Sequence, residues 1–293
     1  HGADAVPFAS LICRLPKRIH FLQIGRNRDF IGQTVEGRDI VIYGEASYES
    51  GVAKPNSTLL IGGMHGDETA TVTLLEDFLA RYVGTDSWQT PTIVLPLANP
   101  DSYVRRSRYN SRGVDLNRNC DYNWSADSIE PSGPGPWSEP EICALRDFIL
   151  EWQPKKIVSL HWALAEIDAD GPQSTLLAQA MWDAMSEAER RPYRMRVTEL
   201  GRGQRRLQHT YQICPGSLGQ WVGYGLTYPD GSLPSMITLE LPYDPTVDSR
   251  PDSLPDEHLD TLRDLWHRDS GAYLRAVEPG VEKMLLAACH FVG

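Results

Sequence analysis

Residues 58–68 read Thr58-Leu59-Leu60-Ile61-Gly62-Gly63-Met64-His65-Gly66-Asp67-Glu68, and this stretch decides both the fold and the chemistry of the chain. Its first four residues predict a short strand that is buried on both faces of a mostly parallel sheet. The glycines that follow loosen the chain into a turn, which presents His65 and Glu68 to one point. An imidazole and a carboxylate are two of the three protein ligands of a catalytic zinc site. Surface His and Glu pairs also have this spacing, so the rest of the sequence must supply the third ligand.

Predicted strands and helices alternate along the chain. The strands are predicted at residues 19–24, 39–43, 58–61, 92–97, 156–160 and 236–241. The helices are predicted from Glu68 to Tyr82, from a Ser138/Glu141 capping box to Trp152, and at about 174–190, 255–275 and 280–290, with a loop at 119–137. This alternation predicts an α/β fold, a three-layer α/β/α sandwich around a mixed, mostly parallel twisted sheet. No linker or repeat interrupts it, so residues 1–293 are predicted to form a single catalytic domain.

Composition excludes several classes of partner. The net charge of -11 and the pI near 5.2 argue against a nucleic-acid or anionic membrane surface. The five cysteines are odd in number and contain no C-x-x-C pair, which argues against a disulfide framework and indicates a reducing, cytoplasmic location. The chain has no apolar run of about twenty residues, the length of a membrane span, and no signal-peptide pattern. Its oligomeric state is not predicted.

His161 is the candidate third ligand. Ligands in open α/β sheets gather at the carboxyl ends of the strands, and His161 ends the predicted strand at 156–160. A histidine at a strand end is more often structural, but among the eight histidines only His65 and His161 end predicted buried strands. Together, His65, Glu68 and His161 predict a site for one Zn²⁺ per chain, with a fourth position left open for water.

A zinc hydrolase also needs a base that takes a proton from water and an acid that protonates the leaving amine. Glu240 is the candidate for both steps, because a glutamate among apolar neighbours on an interior strand is costly unless it serves a site. An edge-strand glutamate facing water is the open alternative. Residues 108–119 are rich in Arg and Asn, which suits them to clamp a carboxylate or an oxyanion, although an exposed polar loop has the same composition.

In combination, these pieces resemble the zinc metallocarboxypeptidase family, and among its members the bacterial murein peptide amidases. The motifs that carry the resemblance occur in one order over most of the chain: 32–38 (GQTVEGR), 65–68, 99–101 (NPD), 113–119, 138–141 (SEPE), His161 and Glu240. The continuation at 119–124, together with Tyr211 and residues 215–221, carries the resemblance to the amidases. Ser102 and Cys120 depart from the family pattern at positions away from the predicted chemistry.

The resemblance implies a role for each site residue. His65, Glu68 and His161 would bind zinc and Glu240 would act as general base and acid. The supporting positions have implied roles of four kinds: stabilisation of the oxyanion (Arg108), binding of the substrate's terminal carboxylate (Asn117 and Arg118), closure over the substrate (Tyr211) and acceptance of the second N–H of His65 (Asp115).

The resemblance implies hydrolysis of an amide bond beside a C-terminal residue with a free carboxylate. The favoured substrate is the γ-D-glutamyl–diaminopimelate bond of a small murein peptide, cleaved in the cytoplasm. A deacylase of N-acyl amino acids, like the succinylglutamate desuccinylases and aspartoacylases, and an ordinary carboxypeptidase are alternatives within the same enzyme class. A catalytically silent peptide-binding protein is the alternative outside it.

Overall fold

A computed structural model describes residues 27–44, 55–83, 85, 88, 90–197, 214–242 and 270–293. In these residues the chain forms one eight-stranded sheet, whose strands follow the order β1-β2-β4-β3-β5-β8-β6-β7. The strands are β1 (Asn27–Gln33), β2 (Asp39–Gly44), β3 (Thr58–Ile61), β4 (Thr92–Leu95), β5 (Lys156–Trp162), β6 (Glu166–Asp170), β7 (Arg194–Val197) and β8 (Ser235–Leu241).

The centre of the sheet is parallel and its flanks are mixed. Strands β4, β3, β5 and β8 are parallel neighbours, whereas β1, β2 and β4 pair antiparallel, as do β8 and β6. The central strands are short and apolar; β3 and β4 are buried at every position. Strands that are covered on both faces have this composition, because no position alternates towards solvent.

Helices cover both faces of the sheet. They are α1 (Thr69–Arg81), α2 (Pro100–Arg105), α3 (Pro140–Trp152), α4 (Thr175–Ala184), α5 (Glu187–Arg190), α6 (Leu218–Gln220) and α7 (Ser270–His290), with a π-helical segment at Trp221–Gly225. One apolar core joins α1, α4 and α7 to one face, and a second joins α3 and the α6 region to the other. The predicted three-layer sandwich is therefore confirmed.

Successive side chains of β5 and of β8 point alternately to the two apolar cores. Val158 and Ile237 pack with α1, α4 and α7, whereas Ile157 and Met236 pack with α3. Because successive side chains of a strand point to opposite faces, the odd positions of β5 and the even positions of β8 share the α3 face. His161 therefore lies on the α3 face, at the carboxyl end of β5.

Several predicted element boundaries are wrong. The predicted Ser138/Glu141 capping box is absent: Glu139 precedes the helix, Pro140 begins it, and Glu141 instead accepts a bond from the backbone of Val35 at 3.0 Å. The predicted helix at 174–190 is two helices, because Ser186 caps the second one with a capping box of its own.

The C-terminal part differs from the prediction as well. Helix α7 is continuous from Ser270 and contains Pro279, so no new helix begins at Gly280. Strands β1, β6 and β7 were not predicted from the sequence. The predicted strand at 19–24 and the part of the predicted helix at 255–269 lie outside the described residues.

The described residues contain neither a disulfide bond nor a helix that could cross a membrane. Cys120, Cys143, Cys214 and Cys289 are free thiols, and Cys13 lies outside the described residues. None of the helices in the described ranges has the length and apolarity needed to cross a bilayer.

Candidate metal centre

Three buried side chains meet where β3 and β5 end. The ligand atoms of His65, Glu68 and His161 all lie within 4.8 Å of one another. Glu68 is shared between the two rings: its Oε1 is 2.7 Å from Nδ1 of His65, and its Oε2 is 3.3 Å from Nδ1 of His161. Two imidazole nitrogens and one carboxylate oxygen are the donor set of a catalytic zinc site.

The backbone fixes Glu68 at the start of α1. Glu68 precedes the helix, and its carbonyl accepts bonds from the backbone N–H and the hydroxyl of Thr71, at 3.1 and 2.7 Å. Gly66 allows the turn to approach α2 closely, since a Cβ at this position would lie 2.0 Å from the carbonyl carbon of Ser102. The glycine of the H-G-D-E sequence is therefore a steric requirement of the site.

The outer nitrogen of each imidazole has a partner of its own. Nε2 of His65 lies 3.0 Å from Oδ1 of Asp115, and Nε2 of His161 lies 3.1 Å from the hydroxyl of Ser159. Such partners orient ligating imidazoles and select the tautomer whose other nitrogen faces the metal. With both Nδ1 atoms directed at Glu68, the residues fit a zinc ion.

The carboxylates around His65 favour the protonated form of its imidazole. Burial lowers the pKa of His65, but the carboxylates of Glu68 and Asp115 more than offset this and raise it to about 9. Burial raises the pKa of Glu68, and the two histidines reverse that effect and lower it to about 2. Burial lowers the pKa of His161. The carboxylates of Glu68 and Asp115 thus favour positive charge at the cluster, as a metal site requires.

Glu240 lies beside His161 on the neighbouring strand. The two residues are register partners of the parallel strands β8 and β5, so their side chains share one face about 4.8 Å apart. Burial and the negative charge of Glu68 raise the pKa of Glu240 to about 8. A carboxyl group that titrates near neutrality can both accept and return a proton. The open alternative of a water-facing edge glutamate does not apply, because β8 lies between β5 and β6.

Arg108 lies next to His65 and Glu68 of the metal-ligand cluster. Its Nε and Nη2 bond Oδ2 of Asp115 at 3.0 and 2.9 Å, while its Nη1 lies 3.4 Å from Nδ1 of His65 and 3.7 Å from Oε1 of Glu68. These carboxylates raise the pKa of Arg108 above its ordinary value in spite of its burial. Asp115 is fully buried and therefore holds both the imidazole of His65 and the positively charged guanidinium of Arg108 in position.

The other predicted substrate contacts line the same cleft. Its volume is about 410 Å³, and its walls include Asn117 and Arg118 beside the metal cluster and Glu240. The amide oxygen of Asn117 accepts a bond of 2.9 Å from the backbone of Leu218, so it also anchors the α6 region. Tyr211 lies outside the described residues, and its predicted role stays a prediction.

The remaining sequence motifs form a buried polar network behind the cleft. Asp101 accepts bonds from the hydroxyls of Thr34 and Ser111, at 2.7 and 2.8 Å, and from the backbone of Glu36 at 3.0 Å. Asn110 links this region to α3 through Glu139 at 2.7 Å. These motifs support the loop that carries Arg108, Asp115 and the other cleft residues, and they do not line the cleft themselves.

Comparison with known proteins explains this combination of fold and site. Residues 27–165 match the profile of the zinc carboxypeptidase family. Murein peptide amidase A of Escherichia coli K12 is 33% identical over 184 residues, which cover 58% of this chain and 67% of that protein. The chain belongs to the zinc carboxypeptidase family. The murein peptide amidase A of Vibrio campbellii is 32% identical over 152 residues, covering 47% and 58% of the two chains.

Solved structures of the zinc carboxypeptidase family share the fold. The murein-tripeptide amidase of E. coli O157 superposes with a TM-score of 0.50 and 26% identity, covering 81% of this chain and 90% of that one. Carboxypeptidase A of Helicoverpa armigera superposes with a TM-score of 0.59 and 20% identity, covering 90% and 68%. The chain is accordingly a hydrolase of the metallopeptidase class, and its family implies a zinc ion.

Ser159, Asp168 and Asp170 were not predicted as site residues from the sequence. Ser159 contacts His161 on β5, whereas Asp168 and Asp170 lie on β6 and line the cleft. Acidic and apolar residues alternate in Glu166-Ile167-Asp168-Ala169-Asp170 with the period of 2 that is typical of a strand. This pattern could have revealed Asp168 and Asp170. The carboxylates made this segment resemble a polar loop.

Proposed function

We propose that the chain is a zinc-dependent amidase that hydrolyses an amide bond beside a C-terminal residue with a free carboxylate. We propose the γ-D-glutamyl–diaminopimelate bond of murein peptides as its substrate. The observation that carries the proposal is the convergence of His65, Glu68 and His161 opposite Glu240 in one cleft. The names of the similar amidases support the substrate.

The metal ligands in this proposal are Nδ1 of His65, Nδ1 of His161 and the carboxylate of Glu68. When bound there, zinc supplies Lewis-acid polarisation of the scissile carbonyl and makes water a better nucleophile. Asp115 and Ser159 hold the two rings in the orientation that binding requires. The chain itself therefore orients the ligands, which reduces the cost of ordering the site.

Glu240 moves the protons of the reaction. With its pKa raised to about 8 by burial and by Glu68, its carboxylate accepts a proton from the attacking water and returns it to the leaving nitrogen. Arg108 presents a guanidinium, fixed by Asp115, to the oxyanion that develops on the substrate carbonyl. Because Asp115 holds this donor in place beforehand, little reorganisation is needed during the reaction.

Asn117 and Arg118 bind the terminal carboxylate of the substrate in this proposal. A guanidinium beside a fixed amide suits a carboxylate, and both residues line the cleft next to the metal ligands. An enzyme that requires such a carboxylate acts on the last residue of a peptide. Tyr211 is retained as the residue that would close over the substrate.

The Glu240→Gln substitution tests the assigned role. The variant should bind zinc as the wild type does and lose at least about 100-fold in kcat, because it can no longer accept the proton. Glu141→Gln is the matched control, since Glu141 is also buried, carries a raised pKa and lies outside the cleft. Zinc content and kcat are measured on both. Wild-type turnover in Glu240→Gln would refute the proposal.

A substrate panel tests the assigned bond. L-Ala-γ-D-Glu-diaminopimelate, an N-acyl amino acid and a plain dipeptide are compared by amine release from the zinc-loaded enzyme. The proposal requires the highest kcat/KM on the murein tripeptide. Preference for the acyl amino acid would instead identify a deacylase, and preference for the dipeptide an ordinary carboxypeptidase.

A further inference from the structure

Strand β6 presents a row of carboxylates to the cleft. Its alternate residues Ile167 and Ala169 are buried in the core on the α1 side of the sheet. Glu166, Asp168 and Asp170 consequently point to the other face, and all three line the cleft. These three side chains give one wall of the cleft a row of carboxyl groups.

The antiparallel register of β6 and β8 fixes the distance of each acid from Glu240 along the strands. Glu166 is opposite Glu240, Asp168 is opposite Thr238, and Asp170 is opposite Met236. At about 3.4 Å per residue, Asp168 lies about 7 Å farther along the cleft than Glu240, and Asp170 about 14 Å. The row therefore leads away from the reacting atoms along the sheet.

The far end of the cleft is built closely around Asp170. Its side chain is buried, and its Oδ2 accepts a bond of 2.7 Å from the hydroxyl of Thr238. Gly219 of α6 faces it without a side chain, because a Cβ there would lie 2.6 Å from Oδ2 of Asp170. Asp168 is less buried and lies between Asp170 and the level of Glu240.

Guanidinium groups and carboxylates both line the cleft. Arg108 and Arg118 lie near Asp115, with which Arg108 pairs, and Glu130 lines the cleft 4.0 Å from Arg108. The acids of β6 lie on the side of β8 away from β5, and the first of them, Glu166, pairs with Arg194 at 3.1 Å. A ligand that follows the cleft past Glu240 thus passes from guanidinium groups towards the carboxylates of Asp168 and Asp170.

We propose that Asp168 and Asp170 select a leaving residue whose side chain ends in an ammonium group. This inference rests on the proposed function, because the side chain enters the pocket only when Arg118 and Asn117 hold the terminal carboxylate. A four-carbon stem reaches about 6 Å, close to the step of about 7 Å from the level of Glu240 to that of Asp168. The bond from Thr238, which is opposite Asp168, holds the carboxylate of Asp170 towards the same level. Diaminopimelate and lysine both carry such an ammonium group.

The test compares three tripeptides of the form L-Ala-γ-D-Glu-X, in which X is meso-diaminopimelate, lysine or norleucine. Lysine and norleucine have stems of similar size, so their ratio of kcat/KM reports the ammonium group alone. The wild type should favour lysine over norleucine by about 10-fold or more, and Asp168→Asn and Asp170→Asn should each reduce this ratio by about 10-fold or more. A preference for diaminopimelate over lysine would show that its second carboxylate is recognised as well.

The ratio is insensitive to partial loss of folding, because both substrates meet the same enzyme. Asp101→Asn is the matched control, since Asp101 is a buried aspartate outside the cleft and its substitution should leave the ratio unchanged. Equal rates on lysine and norleucine in the wild type would overturn the proposal, as would an unchanged ratio in both variants.

A product-binding measurement separates failure of the pocket from failure of the proposed function. The zinc-loaded protein is titrated calorimetrically with free lysine and free norleucine, both of which carry the α-carboxylate. Absence of γ-glutamyl hydrolysis with tighter binding of lysine would refute the amidase assignment and support the acidic pocket. Hydrolysis of all three tripeptides with equal binding of the two amino acids would refute the pocket and leave the amidase.

Discussion

Asp115→Asn changes one buried atom of the site and should weaken zinc binding. Oδ1 of Asp115 accepts from Nε2 of His65 at 3.0 Å and from the backbone of Asn117 at 2.9 Å. Oδ2 accepts from the guanidinium of Arg108 at 3.0 and 2.9 Å. An asparagine keeps one acceptor and replaces the other with an N–H₂ group. Whichever way the amide is turned, it directs a donor at Arg108 or at His65 and Asn117.

The expected loss follows from what these bonds do. If the amide turns its donor towards His65, Nε2 loses its acceptor and the ring is no longer held with Nδ1 towards Glu68. If it turns the donor towards Arg108, the guanidinium loses a charged partner and moves relative to the metal ligands. Loss of a partner of a zinc-ligating histidine costs about 10- to 100-fold in metal affinity. This corresponds to about 1.4 to 2.7 kcal/mol of binding free energy.

Competition with a chromophoric chelator measures the affinity directly, without any substrate. Asp101→Asn is the control, because Asp101 is also fully buried and bonds several groups, but it lies in the network behind the cleft. Both variants should lose stability in urea, and only Asp115→Asn should lose zinc affinity. A wild-type zinc dissociation constant for Asp115→Asn would refute the role assigned to this carboxylate, as would equal losses in the two variants.

Three further predictions concern stability and metal removal. Burial lowers the pKa of Lys156 to about 8 in the folded chain, although its ammonium donates to the carbonyls of Cys289 and Phe291 at 3.0 and 2.8 Å. The Lys156 ammonium of the unfolded chain keeps its proton up to about pH 10.5, so the unfolded state binds more protons than the folded state between pH 8 and 10.5. Over this range the unfolding free energy of the wild type should therefore rise relative to that of Lys156→Met, by up to about 3 kcal/mol. A difference between the two that is independent of pH would contradict this. Gly66→Ala should lose more than about 3 kcal/mol in urea unfolding, because its Cβ would overlap the backbone of Ser102; a loss below about 1 kcal/mol would show that the turn can adjust. Chelation of zinc should lower the Tm by the equivalent of about 2.7 kcal/mol at a free zinc concentration of 100 times Kd, and re-addition should restore it; an unchanged Tm would mean that zinc does not bind the folded chain preferentially.

The centre of the fold could be predicted from the sequence because its signals are local. Strands β3 and β5 are apolar runs of the length that a buried strand needs, with His65 in the turn after β3 and His161 at the carboxyl end of β5. Helix α1 has an apolar stripe of period 3.6 and begins directly after Glu68. Each of these elements is specified by its own residues, so no knowledge of the neighbouring elements was needed.

Strand β6 could not be predicted because its pattern makes sense only in the folded chain. Glu166, Asp168 and Asp170 are unfavourable in a strand until β8 and the cleft provide them with partners. The capping box predicted at Ser138 is absent for a similar reason, because the backbone N–H of Val35 donates to the carboxylate of Glu141. Contacts between residues distant in the sequence decide both cases, and a pattern within one segment cannot show them.

The order of the strands explains how residues far apart in the sequence form one site. β3, β5 and β8 are consecutive parallel strands, so the turn after β3 carries His65 to the edge where His161 and Glu240 end their own strands. Alternation then selects the face: shifting β8 by one residue would move Glu240 into the apolar core and bring an apolar residue towards the metal ligands. The antiparallel β6 beside β8 extends the same face in the opposite chain direction, and this places its acids farther along the cleft and away from the reacting bond. In our proposal the parallel strands therefore determine where the reaction takes place, and the antiparallel strand determines which leaving residue the cleft accepts.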